Sequence, residues 1–343
     1  MKKFHTVIVG GGPGGLACAT LLAQQGKEVL VLERSSAIGP KVCAGGIPSA
    51  AQSLGLPDSL WERSFTRQQI NSNWQHTIIQ DDKPIIRTVD RGRLGRWMAE
   101  RAQTAGVSIK TNALVLKISE DRVAIRGGEE FGCNFLVGAD GSSSLVRRQL
   151  GIPTTEMGVG INYQIAGNFP EMQWHLNTDL FGNGYAWIFP HQDTASIGVY
   201  ARRSTNKPGI LLNSLHRWAA DHGHELKSRQ PQAALINSDF RGWRFSNRFL
   251  IGDAAGLASC LTGEGIYSAI VSGEEAARTI LDPGYESRKM AQIIKKHRQH
   301  ARVLELASGG RLAGKLVLEG LIFCLRTGLI SSHALEMGID PPL

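Results

Sequence analysis

The chain has 343 residues, 42% hydrophobic and 20% charged, with a formal net charge of +8. That balance fits about two packed domains, or one large domain with an insertion, and excludes a disordered or low-complexity chain. No nucleic-acid recognition motif accompanies the positive charge, so no nucleic-acid partner is expected. No apolar stretch reaches the roughly 18 residues of a spanning helix, and the apolar run after Met1-Lys2-Lys3 is broken too early by Gly10 to Gly15 for a signal peptide. The five cysteines (Cys18, Cys43, Cys133, Cys260, Cys324) are scattered, with neither a disulfide framework nor metal-ligand spacing. A cytoplasmic setting is expected, and no metal.

In chain order, the first element is a buried strand from His5 to Val9, which runs into Gly10-Gly11-Gly12-Pro13-Gly14-Gly15. A helix from Gly14 to Gln25 follows, then a strand from Glu28 to Leu32 with Glu33 and Arg34 at its tip. In the spacing Gly10-x-Gly12-x-x-Gly15 the first glycine makes the tight turn, the second lets backbone approach a pyrophosphate, and the third lets helix pack on strand. The helix N-terminus offers free N–H groups and a positive dipole end, and Glu33 can accept from a ribose diol. In a strand–turn–helix–strand context this is a dinucleotide site; it does not say which dinucleotide.

Asp90-Arg91 precedes a helical stretch, Leu94 to Ala105, and a strand, Ser108 to Ile118. Phe135 to Arg147 reads as a buried strand, a turn at Asp140-Gly141 and a helix start that Ser142 to Ser144 can cap. Phe249 to Gly256 is another buried strand ending in Gly252-Asp253, where an acid can hold the ribityl chain of a flavin. Thr262-Gly263-Glu264-Gly265-Ile266 then opens a helix, Tyr267 to Leu281, whose first N–H groups can face a flavin's pyrimidine edge.

Together these segments resemble the FAD-binding pattern of the p-hydroxybenzoate hydroxylase-like flavoproteins. The resemblance implies FAD, held by Gly10, Gly12, Pro13, Gly14, Gly15, Glu33, Arg34, Asp140, Gly141, Asp253, Gly263, Gly265 and Ile266. It nominates Arg91 as an arginine contacting the cofactor and Leu114 as a backbone contact to the adenine.

Two further motifs narrow the family. Lys41-Val42-Cys43-Ala44-Gly45-Gly46-Ile47 follows the second strand, and Tyr185-Ala186-Trp187-Ile188-Phe189-Pro190 lies mid-chain. Both look like the geranylgeranyl reductases, which have a Cys-x-Gly-Gly-type loop beside the flavin and a Tyr-x-Trp-x-Phe-Pro motif over the substrate cavity. The likeness extends over about residues 4–281. It departs at Gly182, where relatives often have proline, and at Cys260. On a strand, Tyr185, Trp187 and Phe189 share one face, an aromatic wall suited to a long apolar substrate; Pro190 completes the substrate-binding set. Cys43, Ala44, Gly45 and Gly46 are expected at the flavin, with Cys43, water or Tyr185 as proton donor.

The implied fold is α/β: a Rossmann-like FAD-binding domain (1–70, 87–155 and 245–281), an inserted antiparallel-sheet substrate domain (71–86 and 156–244) and a C-terminal helical region (282–343). The substrate sheet is expected to include Gly158 to Gly167, Gln173 to Asn177, Tyr185 to Pro190, Thr194 to Tyr200 and residues 71–89, flanked by a helix from Asn206 to His222. Gly310 to Ile330 is apolar but interrupted by charges; it packs into the core, as is most common for such a stretch, covers the cavity or touches a membrane surface.

The implied activity is reduction of carbon–carbon double bonds in a prenyl lipid, quinone or pigment side chain by hydride from reduced FAD, with NAD(P)H or a ferredoxin as the redox partner. The competing readings are a flavin-dependent monooxygenase or halogenase of the same fold, and a non-catalytic lipid or quinone electron relay.

Overall fold

The computed structural model describes residues 1–49, 54–204 and 207–338. Its largest sheet is laid down by the apolar runs of the sequence. Strands Ser108–Lys110, Val29–Leu32, Lys2–Val9, Glu130–Gly138 and Arg248–Leu250 run parallel in that spatial order. Val7, Ile8, Val29, Val31 and Val137 are fully or almost fully buried, as expected of a parallel sheet covered on both faces. Two further strands, Val115–Ile118 and Arg122–Ile125, extend it antiparallel from Glu130–Gly138. The single strand predicted for Ser108 to Ile118 is therefore two, broken at Asn112, whose φ of 54° cannot continue a strand.

Helix Pro13–Gln24 packs against helix Ile266–Leu281 at glycine distance: a Cβ on Gly273 would lie 2.2 Å from the Gly14 carbonyl oxygen. A second sheet has the order Gln232–Asn237, Met157–Ala166, Thr194–Arg202, Tyr185–Pro190, Met172–Leu176, Arg67–Ser72, His76–Gln80. It is antiparallel except between Met172–Leu176 and Arg67–Ser72, which run parallel. Arg67–Ser72 belongs wholly to this sheet, so the chain enters it before residue 71. Ile86–Val89 does not join it; that strand sits in a separate three-stranded sheet between Gly46–Pro48 and Trp61–Phe65.

One face of the second sheet is closed by helix Pro208–Asp221, whose Leu211, Leu215, Trp218 and Ala219 pack on Ile161, Ile188, Ile197 and Val199. Asn206, the expected first residue of that helix, lies outside the described residues. The other face carries Trp174, Tyr185, Trp187, Phe189 and Tyr200. Helices Arg288–Ala307 and Arg311–Arg326 and a short turn, Ser332–Leu335, complete the described chain. Ile322 and Leu325 pack with Ile70, Trp174 and Leu335, so the C-terminal helix covers the aromatic side of the sheet. Among the described residues no helix is long and apolar enough to cross a membrane.

Candidate active site

The glycine turn divides into positions the fold requires and one it does not. Gly10 has a φ of 106°, and a side chain there would strike the Ala139 carbonyl oxygen at 2.3 Å. A Cβ on Gly15 would sit 2.2 Å from the Gly10 carbonyl oxygen, and one on Gly14 2.7 Å from that of Ala269. Gly12 is the N-cap of helix Pro13–Gln24, with φ −74° and ψ 176°, and a Cβ there would meet nothing within 4 Å. Free space above a helix end with no acidic residue in its first turn is where a pyrophosphate fits.

Glu33 turns back to this loop. Its Oε2 accepts from Gly11 N and its Oε1 from Ser35 N, both at 2.8 Å, and a carboxylate held this way keeps acceptor capacity for a ribose hydroxyl. Arg34 is exposed beside it. Leu114 is half-buried, and its carbonyl accepts from Arg126 N at 2.8 Å, which leaves its own amide as the group to offer an adenine. Arg91 opens helix Arg91–Thr104 behind its N-cap Asp90. Its Nε is buried with no partner, and the residue lines the main cavity. A buried guanidinium nitrogen left unpaired is costly, so this one fits a bound cofactor's acceptor group.

Asp140 is committed to the fold through one oxygen, while its Oδ1 is buried with no partner among the described residues. Its Oδ2 accepts from Leu145 N at 2.6 Å and Val146 N at 3.3 Å, starting the short helix Leu145–Gln149, which Ser144 also caps. Burial pushes its carboxyl up, against those hydrogen bonds. Gly141, at φ 78°, turns the chain beside it. Asp253 is placed differently. It lines the cavity, its Oδ2 accepts from Lys41 Nζ (3.0 Å) and Ser142 Oγ (3.1 Å), and its Oδ1 would lie 3.1 Å from a Cβ on Gly265.

The cavity, about 260 Å³, lies between the second sheet, the three-stranded sheet, the Lys41–Ala44 and Thr262–Ile266 segments and the C-terminal helix. Pro13, Lys41 to Ala44, Gly46, Arg91, Asp253 and Thr262 to Ile266 line its cofactor side. Trp174, Tyr185, Trp187, Phe189, Ile70 and Leu325 line the rest. The glycine pair of the Cys43–Gly46 loop is explained by what stands behind it. A Cβ on Gly46 would be 2.7 Å from the Phe189 ring, and Gly45, at φ 80°, would drive one to 2.5 Å from the His191 ring. His191 is pinned from both sides, Nδ1 to Glu62 Oε2 at 2.6 Å and Nε2 to the Ala44 carbonyl at 3.0 Å. Asn162 Nδ2 reaches the Cys43 carbonyl at 3.3 Å and Ser196 Oγ at 2.9 Å, and Ser196 also accepts from Trp187 Nε1 at 3.1 Å. The aromatic strand and the cysteine loop are thus one hydrogen-bonded unit. Gly45 N donates to the half-buried Cys43 thiol at 3.4 Å.

The aromatic wall is continuous: Trp174 stands edge-on to Phe189 at 4.7 Å, and Tyr185 lies 5.1 Å from Trp174 and 6.0 Å from Trp187. The Tyr185 hydroxyl donates to the Thr262 carbonyl, and burial raises its pKa well above the ordinary phenol value. Tyr185 is therefore a poor proton donor and a good wall. Pro190 does not line the cavity; its carbonyl accepts from Thr88 Oγ1 at 2.9 Å. Gly182, where relatives often carry proline, has a φ of 60°, which a proline ring forbids.

Glu264, Asn162 and Trp174 were not singled out from the sequence. Glu264 stood inside a quoted motif, whereas the other two carry no signal until the sheet is assembled. Glu264 lines the cavity, and burial pushes its carboxyl up to about 8.

A family model described as an FAD binding domain matches residues 3–282. The chain belongs to this FAD-binding family. Among relatives, a geranylgeranyl diphosphate reductase from Rhodobacter capsulatus is 29% identical over 89% of this chain and 83% of its own length. A digeranylgeranylglycerophospholipid reductase from Methanothermobacter thermautotrophicus is 28% identical over 87% and 84%. The crystal structure of a geranylgeranyl bacteriochlorophyll reductase-like protein from Thermoplasma acidophilum superposes with a TM-score of 0.81 at 23% identity, covering 98% of this chain and 95% of that one. A probable FAD-dependent monooxygenase from Pseudomonas aeruginosa gives 0.69 at 18% identity, covering 93% and 100%. The resemblance to geranylgeranyl reductases holds, and with it the α/β FAD-binding fold and an FAD-dependent oxidoreductase family.

Proposed function

We propose that this protein saturates carbon–carbon double bonds of a prenyl chain with hydride from reduced FAD. The observation that carries the reading is the cavity itself. An apolar, aromatic-walled space ends on the Cys43–Gly46 loop and the Thr262–Ile266 turn, the two segments expected at the flavin ring. The bound flavin supplies the hydride; the organic chemistry is the cofactor's, and the protein positions and shields.

Each group then has a task. Gly12 and the end of helix Pro13–Gln24 receive the pyrophosphate, Glu33 the ribose, and Arg91 and Asp253 the middle of the cofactor. The division into a cofactor domain and a substrate domain built on the second sheet, which the chain enters at Arg67, is part of the proposal. Trp174, Tyr185, Trp187 and Phe189 hold an isoprenoid chain flat against the cofactor face, where alkene carbon and hydride donor must meet in near-attack geometry. Ile70, Ile322 and Leu325 exclude water, which an unactivated alkene needs if hydride is to reach carbon. The Cys43 thiol sits in the loop that faces this space.

The substrates that fit are prenylated lipids, prenyl quinones and pigment side chains. NAD(P)H or a ferredoxin reduces the flavin, and the basic C-terminal face, where Leu312, Leu316 and Phe323 are exposed, is the side that would meet a membrane.

The deciding experiment is anaerobic incubation of FAD-loaded, chemically reduced protein with a geranylgeranyl lipid, followed by mass spectrometry. The expected product gains two hydrogens per double bond without oxygen. A product that forms only with oxygen and carries oxygen or halogen would establish the monooxygenase or halogenase reading. Reoxidised flavin with the prenyl chain intact would establish an electron relay.

A further inference from the structure

Glu264 is an acid with no ion-pair partner among the described residues and one oxygen unspent. Its Oε2 accepts from Met337 N at 2.8 Å, while its Oε1 is buried and has no partner. An ionised carboxylate in this position would leave a buried anion with a single neutral donor, which is expensive. The neutral form resolves this: Oε2 remains the acceptor and the proton sits on Oε1. That hydroxyl then needs an acceptor, none stands within reach among the described residues, and the residue lines the cavity. The groups around it agree. Tyr185 from the cavity wall and Glu336 from the C-terminal turn carry no positive charge, and the cation acting on it is Lys296 from helix Arg288–Ala307. Burial outweighs that lysine and holds the carboxyl at about 8.

We propose that Glu264 is the acid of the reaction, its Oε1 hydroxyl protonating one carbon of the double bond as the other takes hydride. This rests on the prenyl-reductase reading. The alkene gains two electrons and a hydrogen from the reduced flavin at one carbon. At the other, a C–H bond forms as the Glu264 O–H bond breaks, so the flavin is oxidised, the alkene reduced and Glu264 left as a carboxylate. Water returns the proton along the Ser332–Met337 edge, where Glu336 and the exposed His333 stand 3.3 Å apart. Of the rival donors, the Tyr185 hydroxyl is spent on the Thr262 carbonyl, while the Cys43 sulfur only accepts from Gly45 N and keeps its own proton, so the Glu264 variants are read beside Cys43→Ala.

The test compares wild-type protein with Glu264→Gln and Glu264→Asp, all loaded with FAD. Difference infrared spectra of wild type against Glu264→Gln at neutral pH should show the carbonyl band of a protonated carboxyl in wild type alone; its absence overturns the proposal without any turnover. In anaerobic single turnover with a geranylgeranyl lipid, the wild-type rate should fall as pH rises through about 8. Glu264→Gln should be slower by about 100-fold or more and lack that limb, the usual scale of a lost general acid. Flavin absorbance reports folding separately; if Glu264→Gln loses FAD, Glu264→Asp decides, since a retained acid should keep a pH limb at reduced rate. Glu264→Gln turning over at the wild-type rate overturns the Glu264 assignment alone. Wild type that leaves the double bonds intact overturns the prenyl reading and the donor role with it.

Discussion

Replacing Gly12 by alanine should separate folding from cofactor binding, because Gly12 is a glycine the apo fold does not need. Its φ of −74° suits any residue, and an added methyl meets nothing within 4 Å. At an N-cap, glycine is preferred over alanine, which loses a few tenths to about 1 kcal/mol. Against this, alanine narrows the unfolded ensemble, which stabilises by about 0.4–1 kcal/mol. The two effects nearly cancel, so urea denaturation of the apo protein should move by less than about 0.5 kcal/mol. The methyl does project into the space reserved for the pyrophosphate. FAD titration by flavin fluorescence should show a loss of about 10- to 100-fold, which is roughly 1.4–2.8 kcal/mol. Gly10→Ala is the contrast: with φ 106° and a backbone oxygen 2.3 Å away, it should destabilise the apo protein itself. The reasoning is refuted if Gly12→Ala binds FAD like wild type, or if its apo form is as destabilised as Gly10→Ala.

Cys43→Ala should keep its FAD and lower alkene reduction; unchanged turnover would remove the thiol from the chemistry. Trp187→Ala removes a buried side chain and the donor to Ser196, costing about 3–5 kcal/mol of stability. Prenyl binding should weaken more than flavin content, and loss of flavin instead would make Trp187 purely core. Glu264 also predicts a pH slope in the apo protein. Its carboxyl titrates at about 8 when folded against 4.5 ordinarily, so the native state keeps a proton that the unfolded chain releases. Stability should therefore fall as pH rises from about 4.5 to about 8. Denaturation curves of Glu264→Gln should lack that component; an identical slope in both proteins would mean the group is ionised when folded.

The cofactor half was legible because its constraints are local. A strand, a turn with φ near 106° at Gly10 and a helix N-terminus lie within one short segment, and no other residue types satisfy them. The aromatic wall was legible for a similar reason: period-two alternation put Tyr185, Trp187 and Phe189 on one face, and Ala186 and Ile188 do pack on the other. What stayed hidden depends on partners distant in sequence. Trp174 joins the wall only because Met172–Leu176 lies between Tyr185–Pro190 and Arg67–Ser72. Ile86–Val89 reads as one more alternating strand, and nothing in its own residues says that it pairs with Gly46–Pro48 rather than with the larger sheet. Asp140 was singled out by its motif, but sequence gives no sign that Leu145 N and Val146 N would take one of its oxygens and leave the other buried without a partner. Asn162 and His191 are single polar residues on apolar strands, which pattern alone cannot distinguish from satisfied core positions.

Those two residues explain why the cysteine loop is where it is. The Cys43–Gly46 segment has little regular structure of its own apart from the first residue of a three-residue strand. Its position comes instead from the second sheet, through Asn162 on the Cys43 carbonyl and His191 on the Ala44 carbonyl. The hydrogen bonds of His191 constrain it further. Nε2 must donate to Ala44, because a carbonyl oxygen only accepts, so Nδ1 faces Glu62 Oε2 with one proton between them at 2.6 Å. A Cβ on Gly46 would collide with Phe189, so the loop can neither approach nor tilt without moving the wall. On the proposed reading, the cofactor's ring end and the substrate's aromatic face would be set by one hydrogen-bonded unit spanning two sheets. That is the geometry hydride transfer to an unactivated alkene demands, where small errors of position are costly in rate.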